Sequence, residues 1–221
     1  MEKTQLFEHL SKRKFSEVLE LLQSAYDAMN TKQRRSVFGE VFDLMPPSAV
    51  DGERLLKEIR KFHSESMSGK YYAPFNINSK NFMHIPEATE AWFEHLGELL
   101  QSSTILSEQD DHATAAQCFE LLYDLILKME EGEEEIVFAD ELGSWMIPGD
   151  EKKFVKAYLK SLSLSSSAEG FTKATLPLLR RDSYSSFANK IYATARRFAN
   201  KEQKAYLQKE VERQNIRTKS P

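Results

Sequence analysis

The sequence predicts an all-α fold, an irregular stack of about eight to ten antiparallel helices of the helical-hairpin, solenoid-like or bundle type. Apolar residues recur every three or four positions along almost the whole chain, which is the helical period. Glycine and proline number only 8 and 7 in 221 residues, which disfavours a turn-rich sandwich or barrel. The connections between the apolar stripes are short, so neighbouring helices are expected to run antiparallel.

The first third of the chain predicts three or four amphipathic helices. A second helical pattern ends at Pro46 and Pro47, whose rings exclude a continuing helix. Asp51 is expected to cap the helix that follows. The first stripe consists of Phe15, Val18, Leu19, Leu22, Ala25, Tyr26 and Met29.

Residues 68–85 interrupt the helical rhythm with glycine, proline and asparagine, while adding large aromatic side chains. A loop of this length is often functional. Two interpretations stay open: the aromatic residues plug the end of the core, or they form a wall or lid over a ligand site. The candidate contact residues in this loop are Tyr71, Tyr72 and Phe75.

Pro86 predicts the start of a long helix, because proline at the first turn loses no hydrogen bond. The next helix, around residues 112–129, is the most apolar of the chain and is expected to be its central element. Cys118 lies in this helix and is interpreted as a packed small hydrophobe, since no basic neighbour in sequence would activate it.

In the last third, Asp150 and Ser166 or Ser167 are predicted caps, and Pro177 is expected to kink or end its helix near Leu176. Residues 203–215 predict a polar, frayed last helix. The predicted organisation is one continuous domain, with an N-terminal helical part at 1–67, the aromatic loop at 68–85, the main helical part at 86–215 and a disordered tail at 216–221.

The charges are distributed unevenly. The net charge is −2 for residues 1–106, −13 for 107–151 and +11 for 152–221. The acidic and basic blocks either neutralise each other within the fold or serve as interaction surfaces, the basic one for an anionic partner. The candidate contact residues of the basic block are Arg180, Arg181, Arg196 and Arg197.

The string Asp140–Trp145 combines two carboxylates, a glycine and a tryptophan between two predicted helices. Asp140, Glu141 and Trp145 could form a recognition corner for a partner. The alternative is that Trp145 seals the core while the carboxylates remain hydrated.

Motifs of enzymatic chemistry are missing from the sequence: it has no glycine-rich phosphate loop, no G-x-S-x-G elbow and no H-E-x-x-H. Of the five histidines, His95 has Glu98 one turn away, but a di-metal bundle requires Glu-x-x-His on two helices. No metal and no cofactor are therefore predicted. Serines near residues 163–167 and 183–186 would need a histidine from the first half of the chain to act as nucleophiles.

Residues 93–119 contain an aromatic–Leu–Gly–apolar string, formed by Phe93, Leu96, Gly97 and Leu100, and a later Ala-x-x-x-Phe, formed by Ala115 and Phe119. This pattern resembles one tetratricopeptide repeat, with about six extra residues between the helices. The resemblance covers one repeat and implies stacked helix pairs with a concave surface for a peptide or protein.

These observations favour a non-catalytic protein–protein interaction or scaffold module with an unidentified protein partner. A small metal-independent enzyme with its site beneath residues 71–82 is the alternative, so enzymatic activity stays open, with the sequence favouring its absence. Nucleic-acid binding through the basic third is a second, less favoured alternative, because the chain as a whole is acidic. Without an apolar run at the amino terminus or a stretch long enough to span a membrane, the sequence predicts a cytoplasmic protein that does not bind membranes.

Overall fold

A computed structural model describes residues 3–29, 33–34, 36–39, 49–72, 85–132, 136–137, 143–181 and 186–218, apart from the side chains of Asp27, Ser144 and Ser186. The chain forms an all-α stack, as predicted, and the described residues contain no β-strand. It divides into two compact units, Met1–Ser48 and Ala49–Pro221. The helices are α1 (Lys3–Leu10), α2 (Phe15–Ala28), α3 (Gly52–Met67), α4 (Glu87–Glu108), α5 (His112–Glu131), α6 (Glu151–Ser165), α7 (Ala168–Arg180), α8 (Ser186–Phe198) and α9 (Lys201–Arg213), with a 3₁₀ turn at Ser144–Met146.

Helix boundaries in the second unit follow the capping residues of the sequence. Asp51, Asp150 and Ser167 each accept a hydrogen bond from a backbone N–H of the first helical turn, at 3.0–3.1 Å. Helix α5 ends at Gly132, whose φ of 88° places it in the left-handed region that glycine tolerates. Three caps expected from the sequence are therefore confirmed.

Pro177 does not end its helix, because α7 continues through it to Arg180. The proline removes the hydrogen bond that would reach the carbonyl of Lys173. Lys173 is an exposed residue, so water can replace this bond. The last helix is likewise better defined than its composition suggests: Asn200 and Gln203 form a reciprocal capping box, and Leu207 and Val211 are buried.

The core of the second unit is centred on α5 and α6. Helix α5 is buried on most sides, as predicted, and it packs against α3, α4 and α6. Helix α6 packs in turn against α4, α7 and α8, while α9 covers α7. The main contacts thus join helices that are one or two steps apart along the chain. Ile216 also packs against the core, so ordered structure reaches into the predicted tail.

Gly97 allows a close approach within this core. A Cβ atom at this position would lie 2.9 Å from both the ring and the carbonyl oxygen of Pro148. The glycine of the tetratricopeptide-like pattern is therefore explained by the turn before α6, which packs directly on α4. The resemblance itself stays a prediction.

The first unit is built differently. The described part of residues 3–39 contains no buried side chain, in contrast to the continuous apolar core of the second unit. Tyr26 at the end of α2 contacts Phe38 edge to face, with ring centroids 5.5 Å apart. The Arg34 guanidinium lies 4.6 Å from the centre of the Tyr26 ring and donates a hydrogen bond to the Tyr26 carbonyl. These contacts order the C-terminal end of α2 and leave much of the helix exposed.

Candidate interaction surface

Arg181 lies in a partly buried ionic cluster that ties three helices together. Its guanidinium donates two hydrogen bonds to the Glu130 carboxylate, both 2.8 Å, and one of 2.7 Å to Glu151. The side chain is only 6% exposed, and its guanidinium carbon lies 5.8 Å from the centre of the Tyr123 ring. Burial alone lowers the pKa of Arg181, but the two carboxylates outweigh this effect and raise it. This burial removes Arg181 from the residues that a partner could reach.

The other arginines of the basic block are dispersed. Arg180 is exposed and donates a hydrogen bond to Gln214. Arg196 lies 5.7 Å from the centre of the Tyr192 ring, and Arg197 is exposed on the same helix. Because one of the four candidates is neutralised in the interior and two have partners within the chain, the block does not offer the four side chains as a single cationic surface.

The acidic and basic blocks contact each other. Besides the Arg181 cluster, the Lys153 ammonium lies 3.9 Å from a Glu108 carboxylate oxygen, and Lys160 lies 3.9 Å from Asp110. These contacts pair part of the acidic α4–α5 region with the basic helices that follow.

The aromatic loop is described only at its start. Tyr71 packs on Phe62, with ring centroids 5.5 Å apart, and its hydroxyl donates a 2.6 Å hydrogen bond to Glu65. Tyr72 is about one-third exposed. Tyr71 therefore supports the interpretation of this loop as a plug at the end of the core. Phe75 and most of the loop lie outside the described residues, as does the region beneath residues 71–82 where an enzymatic site was considered.

Trp145 projects from the 3₁₀ turn and is 73% exposed. The expectation that it seals the core is therefore wrong. Its neighbours hold the turn in place: the Met146 N–H donates a 3.0 Å hydrogen bond to the Gly143 carbonyl, and Met146 and Ile147 pack against the core. Asp140 and Glu141 lie outside the described residues. Trp145 is thus a large apolar side chain displayed on an anchored turn.

Comparison of the chain with protein-family models, curated proteins and solved structures finds no match.

A serine, a histidine and an aspartate do come together between α5 and α6. His112 Nδ1 lies 3.5 Å from Ser161 Oγ, and His112 Nε2 lies 3.4 Å from Asp110. Ser161, however, is completely buried and donates its hydrogen bond to Ser107 Oγ at 2.8 Å. A nucleophilic serine has to reach its substrate and give its proton to the base. This arrangement links two helices and is not built for nucleophilic attack.

Sites for metals or small molecules find little support in the described residues. No group of three or more His, Cys, Asp and Glu side chains there could hold a metal ion. His95 instead lies 3.9 Å from Glu58 and 3.7 Å from Glu98. A partly open cavity beside Tyr123 and Phe154 measures about 20 Å³, which accommodates one water molecule, and a more open, largely polar depression beside Tyr192 and Ile216 measures about 310 Å³. No helix in the described ranges has the length and apolarity needed to cross a bilayer.

The structure also shows that much of the first apolar stripe is exposed. Phe15 is 76% exposed, and Leu19, Leu21 and Leu22 on the same helix are about half exposed. The spacing of these residues correctly indicated an amphipathic helix. It gave no information on whether another part of the chain covers the apolar face.

Cys118 provides a test of the packing at the centre of the fold. Burial raises the pKa of its thiol from about 9 to about 12. This difference stabilises the fold below pH 9, and the contribution is lost as the pH rises toward 12, because the unfolded thiol ionises first. We expect a thiol reagent to modify Cys118 only after denaturant is added, and alkaline pH to lower the denaturation midpoint. Rapid modification of the folded chain at neutral pH would contradict this placement.

Proposed function

We propose that the chain is a non-catalytic interaction module that binds a cationic segment of a protein partner at the Trp145 corner, which comprises the 3₁₀ turn and the acidic residues before it. The observation that carries this proposal is the 73% exposure of Trp145 on an anchored turn. A tryptophan costs free energy when it is left in water, and tryptophan is among the residues most enriched in the energetic centres of protein interfaces.

The charge around Trp145 favours a cationic partner. Residues 130–141 contain seven carboxylates and no basic side chain. Among them, Glu130 is neutralised by Arg181, whereas Glu131 is exposed. An indole ring attracts a cation and a carboxylate pairs with one, so this combination of residue types suits arginine or lysine. The corner is therefore proposed to recognise a basic, arginine-containing peptide segment.

The position of the corner supports binding without a large rearrangement. The turn lies directly before α6, whose first residue, Glu151, is fixed by Arg181. Between Trp145 and α6, Met146 and Ile147 pack against the core. A side chain held on such a support loses little conformational freedom on binding, and this lowers the cost of association.

Fluorescence provides the direct test, because the chain contains only two tryptophans and Trp92 is 1% exposed. Titration with an oligoarginine peptide is expected to change the emission of Trp145, while an oligoglutamate peptide leaves it unchanged. Trp145→Ala should weaken peptide binding, measured by calorimetry, by about tenfold or more. Tyr206→Ala, which removes another exposed aromatic ring, serves as the matched control and should bind normally. Equal binding by the wild type and Trp145→Ala would refute the proposal.

A further inference from the structure

Helix α2 presents a wide apolar face. At about 100° per residue, the side chains of this face cover an arc of about 160°. The opposite side of the helix carries Glu17 and Glu20. The residues of the face are Phe15, Val18, Leu19, Leu21, Leu22, Ala25 and Tyr26. None of them is buried, and Phe15, Leu19, Leu21 and Leu22 are among the most exposed large apolar residues described.

A face of this kind is stabilised when another apolar surface covers it, and we propose that the cover is α2 of a second copy of this chain, packed antiparallel. The inference is independent of the Trp145 corner, because the two surfaces belong to different units of the chain. This occupant is supported by charge, by the pairing of the apolar side chains and by the area that the helix can bury.

The charges of α2 favour the antiparallel orientation. Lys12, Arg13 and Lys14 directly precede the helix, where the positive end of the helix dipole repels them. The last turn of α2 contains no basic residue. In an antiparallel pair, the three cations of one copy lie beside the C-terminal end of the other, where the dipole attracts them. A parallel pair would instead bring the two sets of cations together.

The apolar side chains are also matched in this orientation. If the two helices cross midway between Leu19 and Leu22, each Leu19 faces Leu22 of the second copy. Phe15, at one end of the face, then lies opposite Tyr26 at the other end, so that leucines meet at the centre of the contact and aromatic rings meet at both ends. Pairs of aromatic rings contribute stabilisation beyond the area that they bury. The acidic side of α2 remains in water, and it is unlike the basic side by which amphipathic helices bind anionic membranes.

The size of the face determines how strong this association can be. Helix α2 has 14 residues and is about 21 Å long. The 160° arc of a helix about 6 Å in radius is about 17 Å wide, so along this length the face buries roughly 350 Å² on each copy, or roughly 700 Å² in total. This is below the area of a standard stable interface, so we expect a weak dimer in dynamic exchange with the monomer.

Sedimentation equilibrium of the full chain, over about two orders of magnitude in concentration, tests the proposal. The wild type should show a reversible monomer–dimer equilibrium. The double variant Leu19→Gln, Leu22→Gln should lower the association constant by at least about tenfold. Leu164→Gln removes a leucine that is 62% exposed in the second unit, and it should associate like the wild type. A monomer at every concentration, or equal association of the double variant, would overturn the proposal.

Disulfide formation tests the orientation. The native Cys118 is completely buried, so a cysteine introduced on α2 is the reactive thiol. When Leu19→Cys and Leu22→Cys chains are mixed and oxidised, the antiparallel pair should give mainly the mixed disulfide. Disulfides that join mainly two chains of the same variant would indicate a parallel pair and would contradict the proposed orientation. Circular dichroism of each variant verifies that the helices remain folded.

Discussion

Replacement of Arg181 by methionine is expected to lower the free energy of unfolding by about 3 kcal/mol. The guanidinium makes three charge-assisted hydrogen bonds to Glu130 and Glu151, and without it these carboxylates face each other with no cation between them. Glu130 and Glu151 keep some contact with water, so the effect is expected at the lower end of those seen when a buried ion pair loses one partner. Urea unfolding followed by circular dichroism measures it.

Arg180 is the matched control for this substitution. It is the neighbouring residue and has the same side chain, but it is exposed and contacts only the amide of Gln214 in the hydrogen bonds described. Arg180→Met should change the free energy of unfolding by less than about 1 kcal/mol. The free energy of unfolding of Arg181→Lys should lie between those of the two methionine variants, because lysine keeps the charge but cannot bind two carboxylates with a planar guanidinium group. If Arg181→Met and Arg180→Met were equally stable, the cluster would not hold the helices together.

Phe119→Ala is expected to have a larger effect, about 3–5 kcal/mol. Phe119 is completely buried in the central helix α5, and its ring centroid lies 5.4 Å from that of Tyr158 on α6. Its removal leaves a cavity between α5 and α6, and rigid neighbours on both helices can fill that space only in part. Tyr123 and Tyr158, stacked with centroids 5.4 Å apart, would lose the ring against which they pack.

The control for the core substitution is Leu164→Ala, which removes an exposed apolar side chain of α6. It should cost less than about 0.5 kcal/mol. Thermal and urea unfolding of both variants, followed by circular dichroism, give the comparison. A Phe119→Ala chain as stable as Leu164→Ala would show that α5 is not the centre of the core.

Local features of the fold could be predicted from the sequence. The caps at Asp51, Asp150 and Ser167 were predictable because a capping side chain bonds to backbone groups only two or three residues away. The central position of α5 was predictable because a helix that is apolar over most of its circumference must be covered on most sides. Each of these inferences depends on information within one helix.

The misjudged features depend on distant residues. Arg181 is one of a pair of adjacent arginines, and only the fold brings Glu130, 51 residues away, against it. Trp145 is a large apolar residue of the type that usually lies in a core. Its exposure is determined by the way Met146 and Ile147 anchor the turn. Likewise, the pattern of α2 predicts an apolar face without specifying what covers it. The sequence therefore named Trp145 as a candidate contact residue, but the exposure of Trp145 and of the α2 face could be found only in the structure.

The order of packing along the chain has a consequence for biosynthesis. Because the main contacts of the second unit join helices one or two steps apart, each helix meets its partners soon after it leaves the ribosome. Contacts that are close in sequence generally favour rapid folding. Helix α5 packs against three helices, and its apolar surface stays incompletely covered until the last of them, α6, has been synthesised. A nascent chain that stops between these two helices is thus the intermediate most in need of a chaperone.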